Sequence, residues 1–127
     1  MTSIQIGKLI RAALATNLKL VELIGNKIFP IVSKEGTAYP FVVYRRAGIT
    51  PSYVKDGRAS EVATVEIIVA DNNYTRSVDI ADRIRETIDG KGMTYGGLTV
   101  NQVQLSSADE EFIEDTYIQS LTFNFIL

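Results

Sequence analysis

The sequence predicts an α+β domain, a mostly antiparallel sheet with helices packed on one of its faces, and three observations carry that prediction. Residues 63–70 alternate, with Ala63, Val65, Ile67 and Val69 on one side and Thr64, Glu66 and Ile68 on the other, the period of a half-buried strand. Asp71, Asn72 and Asn73 then turn the chain into a helical segment that stops before Gly90. In it, Val78, Ile80, Ala81, Ile84 and Ile88 recur at helical spacing opposite Asp79, Asp82, Arg83 and Glu86. A second alternating run ends the sequence: Tyr117, Leu121, Phe123, Phe125 and Leu127 share one side, and Ser120, Thr122 and Asn124 share the other. Each run has an apolar face to bury, so the helix is expected on the odd-numbered face of the strands.

The remaining elements cover or extend that unit. Ser3 is placed to cap a first helix whose stripe is Ile6, Leu9, Ile10, Ala13 and Leu14. Asn17 caps a short second helix bearing Leu18, Leu20, Val21, Leu23 and Ile24, and Gly25 with Asn26 ends it. Residues 27–32 include Ile28, Phe29 and Ile31, but Pro30 has no amide proton for a ladder, which restricts the segment to a sheet edge before a turn at 33–38. The run 39–46, Tyr-Pro-Phe-Val-Val-Tyr-Arg-Arg, is strongly β-prone. Residues 49–58, with Pro51, Tyr53, Asp56 and Gly57, exceed what a tight hairpin needs and predict a protruding arm or mobile loop. Gly90, Gly92, Gly96 and Gly97, with Met93, Thr94 and Tyr95 between them, predict a turn or small hairpin. Over 98–105 the parity changes from Leu98 and Val100 to Val103 and Leu105, which a bulge near Asn101 and Gln102 would correct. The closing strand is expected in the interior of the sheet.

At 127 residues the chain fits a single domain, 1–127, with a real core. A net charge of −2 with both signs interspersed supplies no general attraction to nucleic acid or to an acidic membrane surface. The chain has neither cysteine nor histidine, so disulfides, thiolate chemistry and the commonest general base are excluded, and catalysis would fall to carboxylates, lysine or tyrosine. The amphipathic start, interrupted by Gln5, Lys8 and Arg11, reads as neither a signal peptide nor a membrane span.

The candidate chemical sites all have plainer readings. Asp109, Glu110, Glu111, Glu114 and Asp115 lack the alternating ligands and the glycine of a calcium loop, and are expected to be a solvated hairpin connection. The four glycines precede no Gly-Lys-Ser/Thr, so they make turns rather than cradle phosphate. Arg45 and Arg46, with Lys55 and Arg58, suggest a basic patch, yet adjacent strand residues point to opposite faces, which favours a solvated or subunit-facing strand end. Tyr39, Tyr44, Tyr53, Tyr74, Tyr95 and Tyr117 are dispersed and read as rim and interface residues. No catalytic, cofactor-binding or metal-binding residue is expected. The unusual surface is the sheet face away from the helices, where Val62, Thr64, Glu66 and Ile68 join Ile118, Ser120, Thr122, Asn124 and Ile126. That mixture is too apolar for plain solvent exposure and too polar for a core, and it suits a protein interface. The candidate interface residues are Ile68, Ile118 and Ile126, with Tyr53 and Arg46.

Several segments occur in a telling order. Leu-Ile-Gly-Asn-Lys-Ile-Phe-Pro at 23–30 is followed by Tyr-Pro-Phe-Val-Val-Tyr at 39–44, and Asp56-Gly57 precedes the strand rich in Val and Ile. Ala-Asp-Arg-Ile-Arg at 81–85 and Tyr-Ile-Gln-Ser-Leu-Thr-Phe at 117–123 complete the series. In order and spacing this resembles the phage tail-completion and tail-terminator proteins, minor tail proteins of the head-tail junction. The resemblance covers most of the chain and implies a non-enzymatic subunit that ends the tail tube by forming a ring, six-fold by analogy, with DNA free to pass through it. It implies the tail tube protein and head-tail connector proteins as partners, no membrane and no sequence-specific nucleic acid. It also implies a place in the virion after assembly in the bacterial host cytoplasm. Two other readings stand beside it. One is a small-molecule-binding or regulatory α+β domain, which needs a concave polar pocket at the helix-sheet edge. The other is a carboxylate enzyme using Asp109 or Glu111 with Asp71.

Overall fold

The period-two burial expected for residues 63–69 holds: Ala63, Val65, Ile67 and Val69 are fully buried, and Thr64, Glu66 and Ile68 are half-exposed, while Ala70 at the strand end is buried although it lies on the even face. They belong to β3 (Gly57–Asp71), the middle strand of a five-stranded sheet in a computed structural model that describes residues 1–127 apart from the side chains of Arg58 and Ala59. Its neighbours are β2 (Phe41–Val54) and β7 (Thr116–Ile126), both antiparallel to it. The edges are β1 (Ile28–Pro30), parallel to β2, and β6 (Gln102–Ile113), antiparallel to β7. The fold is therefore α+β with a mostly antiparallel sheet. Pro30 sits on an edge strand, as its missing donor requires.

Three helices, α1 (Ile6–Ala15), α2 (Leu18–Ile24) and α3 (Tyr74–Ile88), lie against the odd-numbered face of β3 and β7. The core between them joins Ile6, Leu9, Ile10 and Leu14 of α1, and Leu20 and Ile24 of α2, to Ile80, Ile84 and Ile88 of α3 above Val65, Ile67, Phe123 and Phe125. Gly7 lets α1 lie close to β2, since a Cβ there would stand 3.2 Å from the ring of Tyr44. Burial raises the Tyr44 phenol above its ordinary pKa, an effect that Arg11 partly opposes. Asn17 and Asn73 cap α2 and α3, their side chains accepting from the amides of Leu20 and Arg76, and the Asn17 amide also reaches Thr87 Oγ1 at 2.9 Å.

The structure corrects several expectations. Thr2, not Ser3, makes the first cap: it precedes a 3₁₀ turn (Ser3–Gln5) that leads into α1, and Ser3 is buried. Leu18 lies in solvent at the start of α2, and Val78 is 37% exposed, because Ser77 takes the buried position beside Ile80 and Ala81. The segment 49–58 is neither a connection nor a loop. β2 and β3 simply continue past the rest of the sheet as a two-stranded ribbon, so the arm is built of paired strands and not of loop. The parity change after Val100 is no bulge at Asn101. There the chain leaves a separate hairpin, β4 (Met93–Tyr95) with β5 (Leu98–Val100), bends at Asn101 and enters the main sheet at Gln102. The register shift of β6 lies further on, between Leu105 and Ser107, where the Asp89 carboxylate accepts from the Leu105 amide at 3.0 Å. The acidic run is mostly strand: Asp109, Glu110 and Glu111 belong to β6, and only Glu114 and Asp115, both with positive φ, make the turn into β7.

One ion pair fastens β3 to α3. Asp71 is fully buried at the strand end, and Arg76 grips it with two bonds, Nε to Oδ2 and Nη2 to Oδ1, each 2.7 Å, while the Asn73 amide donates to Oδ1. The bidentate carboxylate pushes the Arg76 guanidinium still higher than usual. Two stability predictions follow from this packing. Phe123→Ala should cost about 3 to 5 kcal/mol in urea denaturation, and Thr122→Ala, on the opposite face, far less; equal losses would mean a strand buried on both sides. Arg76→Ala should cost about 2 to 3 kcal/mol, less than a fully buried pair because the arginine is partly solvated. A loss no larger than that of Arg83→Ala, whose pair with Glu86 lies at the surface, would show the Asp71 contact to be dispensable.

Candidate assembly surface

The even-numbered face of β3 and β7 carries no helix, and strand pairing decides what that face displays. Thr64 sits opposite Asn124, Glu66 opposite Thr122, and Ile68 opposite Ser120, so the middle of the face is polar, with Thr64 Oγ1 and Asn124 Oδ1 3.1 Å apart. Arg45 pairs with Glu66 on the same side at 3.3 Å. The apolar residues gather at the two ends. Val62 faces Ile126 at one end, whereas Ile68 and Ile118 lie diagonally across the ladder at the other, beside Phe41, Val43 and Ala70.

That second end forms a shallow concavity of about 490 Å³, lined by Phe41, Val43, Ile68, Ala70 and Ile118 on the floor and by Ile31, Val32, Tyr39 and Ile113 at the rim, with Glu111 and Glu114 beside them. The rim is held in an unusual conformation. Ile31 has φ of 68° and lies between the Pro30 carbonyl and the Val32 amide, which bond at 2.7 Å in a γ-turn, while its own amide donates to Tyr44 O. A β-branched residue in that region stores about 1 to 3 kcal/mol of strain, yet Ile31 and Val32 are both more than two-thirds exposed. Tyr39 stacks on Phe41 across the cis Tyr39–Pro40 peptide, with centroids 5.7 Å apart, and its hydroxyl bonds Thr116.

The five interface candidates do not form one patch. Ile68 and Ile118 share the concavity, and Ile126 stands at the far end of the same face. Arg46 belongs to the helix side, paired opposite Val65 and bonded to the carbonyl of Ile4, and Tyr53 projects 71% exposed from the arm. Alternation foresaw the split between Arg45 and Arg46; Lys55 sits at the arm tip, and the side chain of Arg58 lies outside the described residues. Sequence reasoning missed Ile31, Val32, Ile113 and Phe112. All are exposed apolar residues at turns or strand ends, and their signal was apolar character beside a turn, at the end of the edge segment 27–32 and within the acidic run expected to be a solvated connection.

The carboxylates do not make an active site. Asp109 and Glu111 face the open side with Ser120 and Ile118, while Asp71 points to the helix side, so the sheet separates them. Glu110 accepts from the Tyr74 hydroxyl at 3.0 Å and from Gln119 Nε2 at 2.9 Å, and Gln119 also reaches the buried Ser77. The Tyr74 phenol is raised above its ordinary pKa chiefly by that carboxylate bond. Among the described residues no three carboxylates converge in a form that holds a metal ion. A hollow does exist between α2 and α3, about 410 Å³, but it is open to solvent and bounded mainly by charged side chains, Lys19, Glu22, Asp79, Asp82 and Arg83 with Leu23.

Comparison with known proteins decides between these readings. The model of the family described as "Tail completion protein gp17" matches residues 8–127. The chain belongs to that family. Membership gives it a structural role in a phage-type tail. Its fold is also that of a chain in a solved structure titled "Virion of native gene transfer agent (GTA) particle", with a TM-score of 0.81 over 92% of this chain and 90% of that one at 16% identity. No curated protein matches the chain in sequence.

For a tail completion protein, the arm is the element most open to change. Beyond the bond from the Leu127 amide to Glu61 O, the ribbon has no third strand, and a two-stranded hairpin by itself is marginally stable. Hydrogen exchange of the isolated chain should be fast across 52–57 and slow across β7. Strong protection at 52–57 in a proven monomer would contradict this.

Proposed function

We propose that this protein ends the tail tube by forming a closed ring of copies at the head-tail junction, and that it acts by contact rather than by catalysis. The observation that carries the proposal is the uncovered sheet face of a chain that belongs to a tail completion family. The helices are all used on the other face, so Ile68, Ile118 and Ile126 have no cover within the subunit. Copies meeting head to tail bury such a patch, and where the rotation between them closes, the product is a ring and not a filament. A ring then offers one surface to the last tube ring and another to the head connector, with DNA passing through the lumen. The resemblance of the chain to tail terminators makes six copies the expected number. The tail tube protein and the connector proteins are the partners, and the end of the tail in the virion is the place of action; the gene transfer agent particle that contains a chain of this fold supports this.

A stable contact of this kind buries on the order of 1,200 to 2,000 Å² in total, with aliphatic residues central. Light scattering over a concentration series should show a discrete oligomer. Ile68→Asp should abolish it while leaving the helix signal in circular dichroism unchanged, because the new charge is buried only where copies meet. An Ile68→Asp chain that still assembles would exclude this face as the contact.

A further inference from the structure

We infer that the arm of one copy docks in the concavity of the next, placing Tyr53 over Ile68 and Ile118 and Lys55 against Glu111 and Glu114. The inference rests on the ring reading above and names its contact. The occupant cannot be the chain's own arm. Along β3, from Gly57 at the arm tip to Ala70 on the concavity floor, a rise of about 3.3 Å per residue separates the two by roughly 40 Å, and from Val62 onward the strand is held on both sides. The two features sit at opposite ends of one sheet, which is the arrangement a head-to-tail contact needs, because every copy then offers one arm and one receptor.

The chemistry of the two surfaces is complementary. The arm tip carries Tyr53 on one face and Val54 on the other, both exposed, and Lys55 and Asp56 form the turn that follows. The concavity offers an apolar floor, and its rim carries Glu111 and Glu114 in a hairpin that also holds Asp109 and Asp115. An arm without a third strand gains from a partner, and a tyrosine brings a large, stiff apolar surface with a hydroxyl for the wet rim. The strained γ-turn at Ile31 is a second, independent sign: Ile31 and Val32 stand exposed at the rim of the concavity in a backbone conformation that costs energy.

A chain without cysteine allows a direct test. The variant carrying both Val54→Cys and Ile113→Cys is treated with a short bis-maleimide, next to each single variant and to an equal mixture of the two singles. The expected result is a ladder of covalent multimers from the double variant, single-link dimers from the mixture, and little from either variant alone. Lys55→Glu should lower the linked fraction about tenfold or more, and adding Glu111→Lys with Glu114→Lys should restore it, since like charges facing each other oppose docking. Should light scattering show oligomers while tip and rim do not link and the charge exchange has no effect, the arm contact is overturned and ring formation stands. Absence of any oligomer up to about millimolar concentration, weaker than ordinary specific association, overturns both.

Discussion

Val65 lies opposite Phe123 and Ile67 opposite Leu121 in the β3–β7 ladder, and the rest of the molecule depends on that register. Because the side-chain period of a strand is two, sliding β7 by one residue would put the phenylalanines in solvent and Thr122 and Asn124 under the helices. With the register held, the odd face becomes the floor on which α1, α2 and α3 pack, and the even face is left for other uses. Asp71 and Arg76 then fix the point where the strand becomes the helix, so the direction of α3 over that floor follows from the same strand.

The even face shows how a small domain can carry an apolar surface without a second layer. Its polar middle, built from Thr64, Glu66, Ser120, Thr122 and Asn124, remains compatible with water, and the aliphatic residues are kept to the ends of the strands. Confining them in this way limits the size of any one exposed patch, which restrains nonspecific association while leaving a surface for a chosen partner. The long edge strand β6 is managed by charge: Asp109 and Glu111 on one side and Glu110 on the other make indiscriminate strand pairing unfavourable along that edge.

The well-packed part of this chain and its projecting parts are separated in space. The helix-covered core is close-packed, and among the described residues no buried polar side-chain atom lacks a partner. The features left over are a ribbon without a third strand, a strained turn and an acidic hairpin, and all three project from sheet ends. Elements at the ends of the sheet can rearrange at little cost to the core.

Much of this was legible in the residues alone. Alternation gave β3 and β7 and their buried faces, because a half-buried strand leaves a period that nothing else imitates, and Asn17, Asn73 and Gly25 marked helix ends through chemistry that acts locally. Composition removed cysteine and histidine chemistry outright. What the residues could not show was anything decided by pairing across the sheet. Residues 49–58 read as a protruding arm or loop because the segment is too long for a tight hairpin and holds Pro51, Asp56 and Gly57, whereas the antiparallel partner strand sustains the ribbon. The parity change at Asn101 looked like a bulge because sequence carries no sign that a chain is changing sheets. The concavity joins Ile31, Phe41, Ile68, Ile113 and Ile118 from five separate strands and turns, and only the tertiary register brings them together. Local periodicity reports which side of an element meets the core; which elements become neighbours is settled by long-range packing that no single segment encodes.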